Sequence, residues 1–80
     1  MKIHIGVICD YMHFLDLRRV LHAQDSNGRI EKGNTVLYHI KNIEACQGLE
    51  LHDYWVLDPR DYYLEVIEYV KTRVRLSLPK

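Results

Sequence analysis

Two aspartates stand where a small α/β chain would place chemistry. Asp10 follows the apolar run Lys2 to Cys9 (KIHIGVIC), and Asp58 follows the run Tyr54 to Leu57 (YWVL). If both runs are strands of one parallel sheet, the two carboxylates fall at its C-terminal ends, where open α/β sheets bind ligands. His13 lies one helical turn beyond Asp10. Hard carboxylate oxygens with an imidazole beside them could hold Mg²⁺ or a similar ion against a phosphate. That is the donor set of a metal-dependent nuclease or phosphatase, here Asp10, Asp58 and His13. The competing expectation is structural. Each aspartate caps the helix that follows it, and Asp58-Pro59-Arg60-Asp61 is accounted for by capping alone.

Other chemistries find less support. The turn after the first apolar run is Asp10-Tyr11-Met12-His13, neither GxGxxG nor GxxxxGK[ST], so a phosphate has no backbone cradle and nucleotide hydrolysis is disfavoured. The five histidines (His4, His13, His22, His39, His52) show no HExxH or Cys-His zinc spacing. His4, inside an apolar run, reads as a partly buried, hydrogen-bonded core histidine. Cys9 and Cys46 have no CxxC spacing and sit within or beside apolar segments. Buried free thiols are expected, as in a reducing cytoplasm. A Cys9–His13 nucleophile pair can be drawn, but Cys9 at a strand end reads as core.

Tyrosine carries a stronger signal. Six tyrosines and Trp55 in 80 residues exceed the needs of one small core. Tyr62 and Tyr69, seven residues apart, can share a helix face. With Trp55 and Tyr54 they are the candidate protein-contact residues, because tyrosine suits surfaces that are apolar in body and wet at the tip. Ordinary packing at the rim of an amphipathic helix accounts for the same residues equally well. Stacking on single-stranded nucleic acid is disfavoured, since the formal net charge is zero.

The elements that would position these residues follow from patterning. Lys2 to Cys9 reads as a central strand covered on both faces, with Gly6 marking close approach of a helix. Tyr11 to about Gln24 reads as a helix with Phe14, Leu17, Val20 and Leu21 on one face, ended by Asp25-Ser26-Asn27-Gly28. Arg29 to Asn34 reads as a polar connector. The alternative is a hairpin around Asn27-Gly28 with Arg29 to Lys32 as an extra short strand. Thr35 to Ile40 is a second strand, Asn42 caps a turn at Ile43 to Gln47, and Tyr54 to Leu57 is the third strand. Asp58 as N-cap and Pro59 as first residue open a helix whose stripe is Tyr63, Val66, Ile67, Val70 and Val74, with Glu68 and Lys71 paired weakly. Leu76 to Lys80 either frays or adds an edge strand. The expected fold is therefore one small α/β domain over residues 1–80, β-α-β-(turn)-β-α, with a three-stranded, mostly parallel sheet in order 2-1-3.

Composition agrees with a globular domain: 48% of residues are apolar and 28% charged. No apolar run approaches a membrane span, and Met1 to Cys9 lacks the pattern of a signal peptide, so a cytoplasmic setting without membrane contact is expected. Lys71, Arg73, Arg75 and Lys80 form a local basic cluster that complements a helix C-terminus.

The segment Ile40 to Pro59, with His39 before it, reads HIKNIEACQGLELHDYWVLDP. Its Gly48-Leu49 pair and the apolar run ending at Asp58 resemble short Rossmann-like proteins encoded by bacteriophages, with a degenerate P-loop or helicase-like core. The β-α-β-β-α layout extends the likeness over most of the chain. Lacking a nucleotide-binding loop, the chain inherits no catalytic role at Asp58 from this likeness. The resemblance implies a phage accessory protein, a class that includes inhibitors of host enzymes and defence systems. The function expected is thus a non-catalytic, cofactor-free protein-binding module acting on a host protein in the host cytoplasm. A metal-dependent enzyme and a homodimeric structural module are the alternatives.

Overall fold

The computed structural model describes residues 2–22, 28–58 and 60–77, with side chains described as far as Val74. Four strands form one sheet in the order β2-β3-β1-β4, comprising β1 (Ile3–Ile8), β2 (Arg29–Lys32), β3 (Thr35–Ile40) and β4 (Asp53–Val56). Three of them, β3, β1 and β4, are parallel: Ile3 to Ile8 pair in register with Thr35 to Ile40, and Ile5 to Ile8 with Asp53 to Val56. This is the expected 2-1-3 arrangement. The sheet has one strand more than expected, because β2 pairs antiparallel with β3, Ile30 facing Leu37. Arg29 to Lys32 is therefore a strand and not a connector. The turn between β2 and β3 is Gly33-Asn34, with Gly33 at φ +60°; Asn27 of the expected Asn27-Gly28 turn lies outside the described residues. The first helix ends at Leu21, with His22 in the left-handed conformation as its C-cap (φ +52°), earlier than the expected end at about Gln24; residues 23–27 lie outside the described residues.

Alternation along the central strand divides the core in two. Ile5, Val7 and Cys9 face α1 (Tyr11–Leu21), where they pack with Phe14, Ile30 and Leu37. Ile8 faces the other way and joins Ile40 and Leu51 beneath α2 (Ile43–Cys46) and α3 (Leu64–Ser77), which contribute Cys46, Val66, Val70 and Val74. The two cysteines are buried, free and on opposite faces of the sheet. Gly6 also faces the α3 side. A Cβ there would lie 3.0 Å from Leu51 Cδ1 and 3.3 Å from Ile40 Cγ1, so side chains, not a helix, require its small size.

Helix boundaries follow local chemistry. Asp10 caps α1 by accepting from the His13 N–H, and Asn42 caps α2 through Ala45 N–H. The third helix departs from expectation. Asp58 is not its N-cap. A 3₁₀ turn at Asp61–Tyr63 precedes α3, and Arg60 occupies the cap position without a side-chain capping bond. Pro59 lies outside the described residues. The chain stays helical through Ser77, so Leu76 and Ser77 are not an edge strand, and residues 78–80 lie outside the described residues. No helix among the described residues is long and apolar enough to cross a membrane.

Candidate functional site at the C-terminal end of the sheet

β1 leads into α1 on one face of the sheet, while β3 leads into α2 on the other. Chains leaving adjacent parallel strands in opposite directions open a crevice between them, the usual ligand position in open α/β sheets. A cleft of about 880 Å³ lies here, walled by Asp10 and Tyr11 after β1 and by Lys41 and Asn42 after β3. The 3₁₀ turn contributes Tyr62 and Tyr63, and β3 contributes Tyr38 and His39.

Asp10 sits at the edge of this cleft. Its Oδ1 accepts from the His13 backbone N–H at 2.9 Å and lies 2.6 Å from His13 Nδ1. The backbone N–H and then the imidazole hold the Asp10 carboxyl below its ordinary range, and the carboxylate in turn holds His13 above its own. Asp58, only 5% exposed, lies behind them. Its Oδ1 accepts from Arg60 Nε at 2.8 Å, and its Oδ2 is in ion-pair contact with the same guanidinium at 2.6 Å without hydrogen-bond alignment. The guanidinium also lies 3.7 Å from Asp10 Oδ2 and 5.7 Å from the centre of the Tyr63 ring. Arg60 thus bridges both carboxylates against an aromatic face. This charge-assisted pairing is why Asp58 does not serve as a helix cap: its Oδ1 reaches only the Arg60 N–H, at a long 3.4 Å. Burial, reinforced by Asp10 and Asp58, pushes the neighbouring Cys9 thiol up to about 12, so it is an inert core group and not a nucleophile.

The three residues expected to converge do so: donor atoms of Asp10, His13 and Asp58 all lie within 4.8 Å of one another. That spread is compatible with donors about 2.0–2.6 Å from a single cation. Arg60 supplies positive charge to the same carboxylates.

The aromatic candidates separate. Tyr62, 78% exposed, borders the cleft and stacks edge-on against Tyr63 at 5.0 Å. Tyr69 is half-buried against the α3-side core and lines a different depression with Ile43 and Leu64. Tyr54 is half-buried against the same core. Trp55, on edge strand β4, lines a small, mostly apolar depression on the α1 face with Leu21 and Ile30. Sequence reasoning missed Tyr11, Tyr38, Tyr63, Lys41 and Arg60 as neighbours of the site. Tyr11 and Lys41 were within reach, since each directly follows or nearly follows the end of a parallel strand. Elsewhere His4 is half-buried as expected, with Nδ1 2.7 Å from the Tyr38 hydroxyl and its ring stacked between those of Tyr38 and His52.

No protein-family model matches this chain, and neither a curated protein nor a solved structure does.

Proposed function

We propose that the chain is a binding module that acts by protein contact and not by catalysis, through the aromatic end of its sheet. One observation carries this reading: four of the six tyrosines, Tyr11, Tyr38, Tyr62 and Tyr63, border a single open cleft, with Tyr11 51% and Tyr62 78% exposed. Tyr63 is buried and Tyr38 half-buried, so the two exposed rings, Tyr11 and Tyr62, are the ones available for contact, each supplying a large area at small entropic cost. The absent phosphate loop supports the same reading. The resemblance to phage-encoded α/β proteins extends it to a host enzyme or defence system as the partner, with inhibition as the outcome.

The test is a pull-down from host lysate with tagged wild type, Tyr62→Ala and Tyr69→Ala. A stoichiometric partner lost with Tyr62→Ala is expected. Hydrolysis of nucleotide or nucleic acid by the purified chain, abolished by Asp10→Ala, would overturn the proposal.

The convergence of Asp10, His13 and Asp58 favours a second reading, a metal-dependent nuclease or phosphatase. Asp10 and Asp58 would hold the cation through carboxylate oxygens and His13 through a ring nitrogen, once Arg60 had moved aside. Calorimetric titration with Mg²⁺ and Mn²⁺ decides it: heat lost in Asp58→Asn supports a metal site, and no heat at millimolar metal ends it.

A further inference from the structure

We infer that the cleft at the end of β1 and β3 receives a cationic side chain, arginine or lysine, from a basic segment of the partner protein. The inference rests on the contact reading above and names the chemistry of the contact.

Three features lead to it. First, two exposed tyrosines, Tyr11 and Tyr62, stand in the walls, and tyrosine ring faces attract cations, arginine above all. Second, carboxylates outnumber cations once the cleft and its adjoining depression are taken together, although the cleft alone has one of each, Asp10 and Lys41. Asp10 lines the cleft, and an adjoining depression that shares Lys41, Asn42 and Tyr62 with it is lined by Glu44 and Glu65. Lys41 is the single cation among the described lining residues of both. Asp10 Oδ1 is engaged by His13, whereas Oδ2, among the described residues, has the Arg60 contact at 3.7 Å, leaving acceptor capacity. Third, the chain already shows this mode of recognition beside the cleft. The Arg60 guanidinium lies 5.7 Å from the Tyr63 ring centre while paired with Asp58. A second guanidinium entering between Tyr11 and Tyr62 would meet the same combination of ring and carboxylate. A cleft of about 880 Å³ exceeds a single side chain and fits a short stretch of peptide. Electrostatic complementarity of this kind speeds encounter and selects the partner.

The probes are three capped hexapeptides, (Gly-Arg)₃, (Gly-Lys)₃ and (Gly-Glu)₃, titrated into the full chain at low ionic strength and followed by calorimetry and by tyrosine ring NMR signals. Binding of the arginine and lysine peptides is expected, with shifts at Tyr11, Tyr38, Tyr62 and Tyr63 and none from the glutamate peptide. Tyr62→Ala, at a highly exposed position, should weaken arginine-peptide binding about three- to tenfold. Asp10→Asn keeps an oxygen to cap α1 but removes the charge. It should weaken binding similarly and flatten its salt dependence. Should Asp10→Asn fail to fold by circular dichroism, Tyr62→Ala decides alone. No binding at millimolar peptide, equal binding of the glutamate peptide, or an affinity indifferent to Tyr62→Ala would overturn the inference. A lysate partner held through Tyr62 beside a silent arginine peptide would sink the cation and leave the contact reading standing.

Discussion

The position of β1 depends on one close approach, and a double-mutant cycle can measure it. Gly6 lies in the middle of the strand that ends at Asp10, and a methyl group there would come within 3.0 Å of Leu51 Cδ1 and 3.3 Å of Ile40 Cγ1. Both neighbours are fully buried. Gly6→Ala removes unfolded-chain entropy worth about 0.5–1 kcal/mol, but overpacking costs about 1–3 kcal/mol, so a net loss of roughly 1 kcal/mol is expected. Leu51→Ala empties the space beside Gly6 and should cost about 2–5 kcal/mol. In the double variant the closer contact, with Leu51 Cδ1, is gone, and the new methyl can move into that space away from Ile40. The two losses should then fall short of additivity by about 1–2 kcal/mol. Urea unfolding followed by circular dichroism gives the four stabilities. For a chain whose total is about 4–12 kcal/mol, Leu51→Val is the milder substitute if Leu51→Ala does not fold. Additivity within about 0.5 kcal/mol would refute the contact that places β1, and with it the placement of Asp10.

The remaining predictions concern the site and the thiols. His13 should titrate above its ordinary value of 6.5 and move back toward it in Asp10→Asn, as followed by imidazole NMR signals; an unmoved midpoint would remove the Asp10–His13 contact. Because the folded value is raised, the stabilisation from His13 is fully present below pH 6.5 and is lost as pH rises through the raised value. Asp10 has the opposite sign: its folded value is lowered, so its contribution is present above pH 3.8 and lost as pH falls through the lowered value. With Cys9 at about 12, its thiolate fraction at pH 8 is about one in 10⁴, and the burial of Cys46 also pushes its thiol up. The folded chain should therefore react slowly with a disulfide reagent at pH 8, and both thiols should react at once in urea; one fast thiol in the folded chain would contradict this.

What was legible in the sequence divides along physical lines. β1, β3 and β4 were visible as apolar or aromatic runs bounded by polar residues; the first two are buried along most of their length, whereas β4 is a half-exposed edge strand that its aromatic residues made recognisable. β2 was given only as an alternative, because Arg29-Ile30-Glu31-Lys32 buries one face at one position, Ile30, and otherwise reads as a polar connector. The start of the last helix was misplaced for an energetic reason. The Asp58 carboxylate gains more from the Arg60 guanidinium than from helix N–H groups, and the chain enters α3 through a 3₁₀ turn instead. That turn also separates Tyr62 from Tyr69. A seven-residue spacing puts two side chains on one face only if both belong to one α-helix, and Tyr62 belongs to a segment with about three residues per turn.

The same turn explains why the carboxylates were easier to foresee than their counter-ion. Asp10 and Asp58 come together because parallel neighbouring strands deliver the residues after them to one end of the sheet, a consequence of topology that the order of elements already contains. Arg60 joins them through local backbone geometry. Two residues beyond Asp58 it could point anywhere, until the turn aims its guanidinium back over Tyr63 and between the two acids. Its arrival changes what the site can do. Two carboxylates alone would call for a metal ion. With a guanidinium lying across them they already have a cation. The balance between a metal site and a contact surface therefore rests on how firmly Asp58 holds Arg60, and a nearly buried carboxylate paired at 2.6 and 2.8 Å holds it firmly.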